Sequence, residues 1–208
     1  MNTPLGPLHI GVILFPGFEL LDTFGPLEFF LMDSNLFRYS LLAETLDPVA
    51  SGQGPRSVID QSFEDCGEVD ILFIPGGKGT RLEVENEDLL RAISRLSQTS
   101  QYTSTVCTGA ALLAKTGLID GKQATTNKAA WKWATSQRDQ VNWVPKARWV
   151  EDGKYFTSSG ISAGMDMALA LIEKIYGPDI RRSIEEKAEY EWNSNSSHDP
   201  FARLNNLI

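Results

Sequence analysis

The chain is poor in the residues that most often bind metals or cross-link a fold. Among 208 residues there are two cysteines, Cys66 and Cys107, and two histidines, His9 and His198. Two cysteines make no disulfide framework. With so few imidazole and thiolate ligands, placed far apart, no zinc or iron site is expected. The sequence lacks an EF-hand loop and a Gly-Lys-Ser/Thr phosphate loop, although composition excludes an oxygen-ligated magnesium or calcium site less firmly. No apolar run approaches the ~20 residues that span a membrane. Residues 1–8 lack the basic start and apolar core of a secretory signal. A formal net charge of −8 opposes a nucleic-acid-binding surface. There are no internal repeats and no low-complexity segments. These absences lead to the expectation of a cytoplasmic protein with reduced thiols, one domain over residues 1–208, and a polar tail over about 191–208. The triplet Asn195-Ser196-Ser197 matches the glycosylation pattern but carries no weight without a secretory signal.

What the sequence does have is a series of short, continuous apolar runs that read as strands buried on both faces. Residues 10–15 form the first, and Pro16-Gly17 ends it. Residues 37–43 and 69–74 give two more, the latter running into Pro75-Gly76-Gly77-Lys78-Gly79. Residues 102–106 form a fourth, which leads directly to Cys107. Apolar residues at helical spacing follow Pro26 (Leu27, Phe30, Leu31), which reads as a first helical turn. They recur at Leu89, Leu90, Ile93 and Leu96, and again from Met165 to Ile175, where Gly177-Pro178 is a stop. A last amphipathic helix is expected over 180–190. Residues 147–150 and 155–157, joined by Glu151-Asp152-Gly153-Lys154, read as a hairpin. Buried-type strands alternating with helices predict an α/β fold: an open, mainly parallel sheet sandwiched by helices, of flavodoxin-like kind.

In such sheets ligands bind at the carboxyl ends of the strands, and three of those ends hold notable residues. Cys107 stands between a strand and a helix of small residues that begins at Gly109. That is the pattern of a nucleophile elbow, where a tight backbone requires small neighbours and the helix N-terminus favours thiolate. The same cysteine can equally be read as a small buried apolar side chain. Asp22, in an apolar stretch after the first strand, fits a helix N-cap or a site acid. Gly76-Gly77 fits an ordinary turn or a place where backbone N–H groups meet a ligand. The convergence of the three argues for a site. Cys66, in a polar loop, reads as an incidental thiol, and Trp131, Trp133, Trp143, Trp149 and Trp192 as core or subunit-contact residues.

Phe15-Pro16-Gly17 with an acid five residues after the glycine, Pro75-Gly76-Gly77, Val106-Cys107-Thr108-Gly109, Ala124-Thr125-Thr126 and Ser159-Gly160-Ile161-Ser162-Ala163-Gly164-Met165-Asp166 together resemble the ThiJ/PfpI superfamily, which has the class I glutamine amidotransferase-like fold. The resemblance runs in order over about residues 8–200, and His198-Asp199-Pro200-Phe201 looks like the family's ending. Many members have a glutamate where this chain has Asp22, and a histidine where it has Thr108; the combination here is similar to the isocyanide hydratase subgroup. The resemblance implies Cys107 as nucleophile, Asp22 as acid/base, Thr108 as a supporting residue, and the backbone N–H groups of Gly77 and Thr108 as anion-stabilising donors. It implies a small-molecule substrate, hydration of an isocyanide to an N-formamide, no cofactor and a homodimer. Several relatives carry a histidine after Ala-Thr-Thr; Asn127 stands there in this chain, so Cys–His chemistry is not expected. Other activities within the resemblance are a glyoxalase-type reaction on small dicarbonyls and a non-enzymatic redox-sensing or stress role for Cys107.

Overall fold

The computed structural model describes residues 6–208. The strands, in chain order, are β1 (Leu8–Ile13), β2 (Phe37–Ala43), β3 (Val49–Ala50), β4 (Arg56–Ser57), β5 (Gln61–Ser62), β6 (Ile71–Ile74), β7 (Tyr102–Thr105), β8 (Gln123–Ala124), β9 (Asn142–Trp143), β10 (Trp149–Asp152) and β11 (Tyr155–Ser158). The helices are α1 (Leu20–Leu31), α2 (Thr80–Glu83), α3 (Glu87–Thr99), α4 (Gly109–Lys115), α5 (Trp131–Thr135), α6 (Ala163–Tyr176), α7 (Pro178–Lys187) and α8 (Pro200–Leu204). Seven strands make the main sheet, in the order β10-β11-β7-β6-β1-β2-β5. Every neighbouring pair in it is parallel except the β10–β11 hairpin. The other four strands form two short ribbons. No helix among the described residues is long and apolar enough to cross a membrane.

The apolar runs do what their composition dictates. Every residue of β1 and β6 is buried, as strands covered on both faces must be. Aligned registers (Ile10 with Ile71, Ile74 with Thr105) bring the carboxyl ends of β1, β6 and β7 to one edge. From β1 the chain steps outward to β2 on one side and later builds β6 and β7 on the other. With right-handed crossovers, that reversal puts α1 on one face and α3 and α4 on the other. Accordingly α1 packs on α6 and α3 packs on α4. The loops after β1, β6 and β7 therefore surround the switch point of the sheet, where such folds hold ligands. Helix α3 shows its origin in sequence most directly: Asn86 caps it by accepting from the Asp88 and Leu89 amides, and Leu89, Ala92, Ile93 and Leu96 face the core.

Two elements differ from the sequence reading. Helix α1 begins at Leu20, with Glu19 at its N-cap position, so Asp22 lies inside the first turn and is no N-cap. Pro26 marks the helix interior, not its first turn; its ring leaves the Asp22 carbonyl without an intrahelical donor. The polar tail also carries α8, whose Asp199 side chain accepts from the Phe201 amide while Pro200 takes the first helical position.

Candidate active site

Cys107 has φ 57°, in the left-handed region that L side chains seldom occupy. Holding a non-glycine residue there stores on the order of 1–2 kcal/mol, which the surroundings must over-determine. They do so with hydrogen bonds. The Cys107 amide donates to the carbonyls of Ser158 and Ser159, each at 3.2 Å, and the Cys107 carbonyl accepts from Thr126 Oγ1 at 2.8 Å. Gly109 supplies the small neighbour that the elbow requires, since a Cβ on it would lie 2.4 Å from the Ile74 carbonyl oxygen.

Asp22 reaches this elbow from α1 and is fully buried. Its Oδ2 accepts from the Gly76 amide at 3.0 Å. Its Oδ1 is buried with no hydrogen-bond partner among the described residues. The Cys107 thiol lies beside this carboxyl, and each alters the titration of the other. Burial pushes Asp22 up to about 8, with the nearby Glu19 charge adding to the rise and the Gly76 amide opposing it. Burial, then the Asp22 charge, push the thiol well above its usual range; the Thr108 amide and the Asn127 side chain pull the other way. The sequence suggested a thiolate favoured by the helix N-terminus. In the structure, burial shifts both groups toward their protonated forms, and the Thr108 amide at the start of the short α4 opposes this for the thiol.

Thr108 and Gly77 are both at the site, but they serve each other. The Gly77 amide donates to Thr108 Oγ1 at 3.0 Å, and Thr108 Oγ1 lies 3.2 Å from the Gly77 carbonyl. The Gly77 amide, expected to face a reacting group, is here engaged by the Thr108 hydroxyl. Thr80 Oγ1 joins this cluster, 3.1 Å from Thr108 Oγ1 and 2.7 Å from the Gly77 carbonyl. The Thr108 amide does face the sulfur.

Asn127, which the sequence marked only as a departure from a histidine, takes part directly. Its Oδ1 accepts from the Ala130 amide at 2.9 Å, and this turns its Nδ2 toward the sulfur. Next to it, buried Lys128 donates to Thr125 Oγ1 and the Ala147 carbonyl at 2.6 and 2.7 Å, which pins the loop. Gly160 lies directly against Asn127 and the sulfur. A cavity of about 390 Å³ opens beside Asn127 and Gly160, lined also by Leu21, Ile161 and Phe201. The sequence also missed Arg81. Its guanidinium lies over the Trp133 ring, 3.9 Å from the centroid, and Trp133 is partly buried and packed against the core on its other contacts, as a core residue is expected to be. Neither histidine is near: His9 pairs with Ser40 at the start of β1, and His198 is exposed in the tail. Cys66 is buried, its thiol 3.4 Å from the Gly67 carbonyl.

The sequence pattern of the DJ-1/PfpI family matches residues 9–174. The chain belongs to this family. Within the DJ-1/PfpI family it is 35% identical over 185 residues to the isonitrile hydratase of Pseudomonas putida, an alignment covering 88% of this chain and 78% of that enzyme. It is 26% identical over 179 residues to the HTH-type transcriptional regulator CdhR of Pseudomonas aeruginosa, covering 84% of this chain and 53% of the regulator. Among solved structures, a ThiJ/PfpI family protein from Pseudomonas syringae has a TM-score of 0.82 at 26% identity, covering 97% of this chain and 84% of that one. The relatives thus include an enzyme and a regulator, and the Pseudomonas syringae structure shares the sheet and helix layers described above.

Proposed function

We propose that the protein is a cofactor-free, cysteine-dependent hydratase that converts an isocyanide and water to an N-formamide. The observation that carries this reading is the Cys107–Asp22 pair. A carboxyl that keeps its proton to about pH 8 sits against a thiol on an elbow, and none of the groups set against that thiol is a histidine. The likeness to isonitrile hydratase supports it.

The pair can run both halves of the reaction. The Cys107 sulfur bonds to the terminal isocyanide carbon as Asp22 gives its proton to the same carbon. The carbon–nitrogen triple bond becomes a double bond, and the carboxyl takes up the thiol proton, so it ends the step neutral. The adduct is a thioimidate. Water then adds through oxygen to that carbon, and one of its protons passes to nitrogen by way of Asp22. The tetrahedral adduct expels sulfur, which recovers a proton from the hydroxyl, and the N-formamide leaves. The Thr108 amide and Asn127 Nδ2 stabilise charge that develops on sulfur. The cavity beside Asn127 and Gly160, with Leu21, Ile161 and Phe201 as apolar walls, would take an apolar part of the substrate. In this reading the chain works as a homodimer. Leu21, Phe24, Ile161 and Phe201, all exposed, form the apolar rim that a second copy would cover.

Rapid-quench mass spectrometry tests the mechanism. The reading expects a transient adduct on Cys107 heavier than the free protein by the whole isocyanide. Formamide produced with no adduct, or equally well by Cys107→Ala, would overturn it.

A further inference from the structure

Arg81 stands apart in the site. It follows the Gly76–Gly79 turn on α2, while Trp133, over whose ring its guanidinium carbon lies 3.9 Å from the centroid, belongs to α5 beyond the Asn127 loop. The stack therefore bridges the two loops that flank Cys107. One Arg81 N–H, at Nη1, donates to Thr80 Oγ1 at 3.1 Å, and Thr80 Oγ1 is in turn 3.1 Å from Thr108 Oγ1. This fixes the guanidinium two hydroxyls from the elbow. Among the described residues no carboxylate lies within ion-pair distance of Arg81. A guanidinium has five donors in a plane, and one is used here. Burial lowers the Arg81 pKa, and a negative charge at Cys107 opposes this. A stacked, oriented cation with no carboxylate partner, two hydroxyls from the elbow and in a chain of net charge −8, is the geometry that recognises an anion.

We infer that Arg81, held by Trp133 and Thr80, is a specificity-determining arm of the Cys107 site, and that the compound it takes carries a carboxylate or similar anionic group. Applied to an isocyanide, the inference rests on the hydratase reading; the charge preference itself can be measured at the sulfur without turnover.

The test compares alkylation of Cys107 by iodoacetate, an anion, and iodoacetamide, its neutral counterpart, across pH and salt, with labelling at Cys107 read by peptide mass. The variants are Arg81→Met, which keeps an apolar stem on Trp133, and Arg81→Lys. The iodoacetate-to-iodoacetamide rate ratio should fall about fivefold in Arg81→Met, be partly restored in Arg81→Lys, and in the wild type decline with salt. A purely structural role would slow both reagents alike and leave the ratio unmoved, and an Arg81 acting only on the thiol would shift the pH profile of both; either result overturns the inference. In parallel, kcat/KM for 4-isocyanobenzoate over para-tolyl isocyanide should favour the carboxylate in the wild type and lose that preference in Arg81→Met. If neither isocyanide reacts while the alkylation ratio still falls, the hydratase reading fails and the anion-recognising arm stands.

Discussion

Gly160 is pressed against Asn127: a Cβ on it would lie 2.0 Å from Asn127 Nδ2 and 3.0 Å from Cys107 Sγ. The Asn127 amide fills the space that a side chain at 160 would need, and glycine there leaves that amide on the sulfur. Gly160→Ala should displace Asn127, lower kcat/KM by about tenfold and cost about 1 kcal/mol of stability through overpacking. Steady-state kinetics and a thermal melt check both effects.

Asp22 makes the folded state pH-dependent in an unusual direction. Its carboxyl titrates at about 8 in the fold and at roughly 3.9 in an unfolded chain. The unfolded chain therefore loses this proton first. The contribution of Asp22 is fully present below about pH 4, declines as pH rises, and has levelled off above about pH 8. Asp22→Asn removes that decline. The variant should exceed the wild type by on the order of 4 kcal/mol at pH 7 and match it near pH 4, as read from urea unfolding at the two pH values.

Thr108 stabilises by hydrogen bonding rather than by volume. Thr108→Val keeps the shape but leaves the buried Gly77 amide, now 3.0 Å from Thr108 Oγ1, without an acceptor. The loss should be about 1–3 kcal/mol, and Thr108→Ser should recover most of it. Chemical denaturation of the three proteins decides the matter.

Asn127 lowers the barrier to forming a thiolate. Asn127→Ala removes the Nδ2 donor, raises the thiol pKa further and should slow iodoacetamide alkylation at pH 7 several-fold. Asn127→Asp, which sets a charge against the sulfur, should slow it more. The pH dependence of the alkylation rate reports both.

The sheet was legible because its central strands are apolar runs punctuated by glycine and proline, and the parallel order follows from their burial on both faces. Cys107 was legible as a candidate elbow because Gly109 and the small residues after it permit a tight junction, although the stretch alone fitted a buried apolar cysteine equally well. The start of α1 was not, since Pro26 imitates a first-turn proline and nothing local shows that the helix already exists at Leu20. β3, β4 and β5, of two residues each, are too short to show a period. The Asp199-Pro200 start of α8 was present in the sequence as a cap signal but stood in a polar tail. Asn127 on the sulfur and Arg81 on Trp133 are contacts between distant segments, and no local pattern encodes them. The protonation of the Cys107–Asp22 pair depends on burial, which only the assembled core defines.

The central claim is that Cys107 and Asp22 act as one unit on an isocyanide. The most direct measurement follows conversion of para-nitrophenyl isocyanide to its formamide by the full chain, alongside Cys107→Ala and Asp22→Asn. The account predicts turnover by the wild type and a loss of at least about a hundredfold in each variant, with Asp22→Asn still folded. A wild type that gives no formamide while its Cys107 thiol reacts with iodoacetamide, or an Asp22→Asn variant that keeps full turnover, would contradict it.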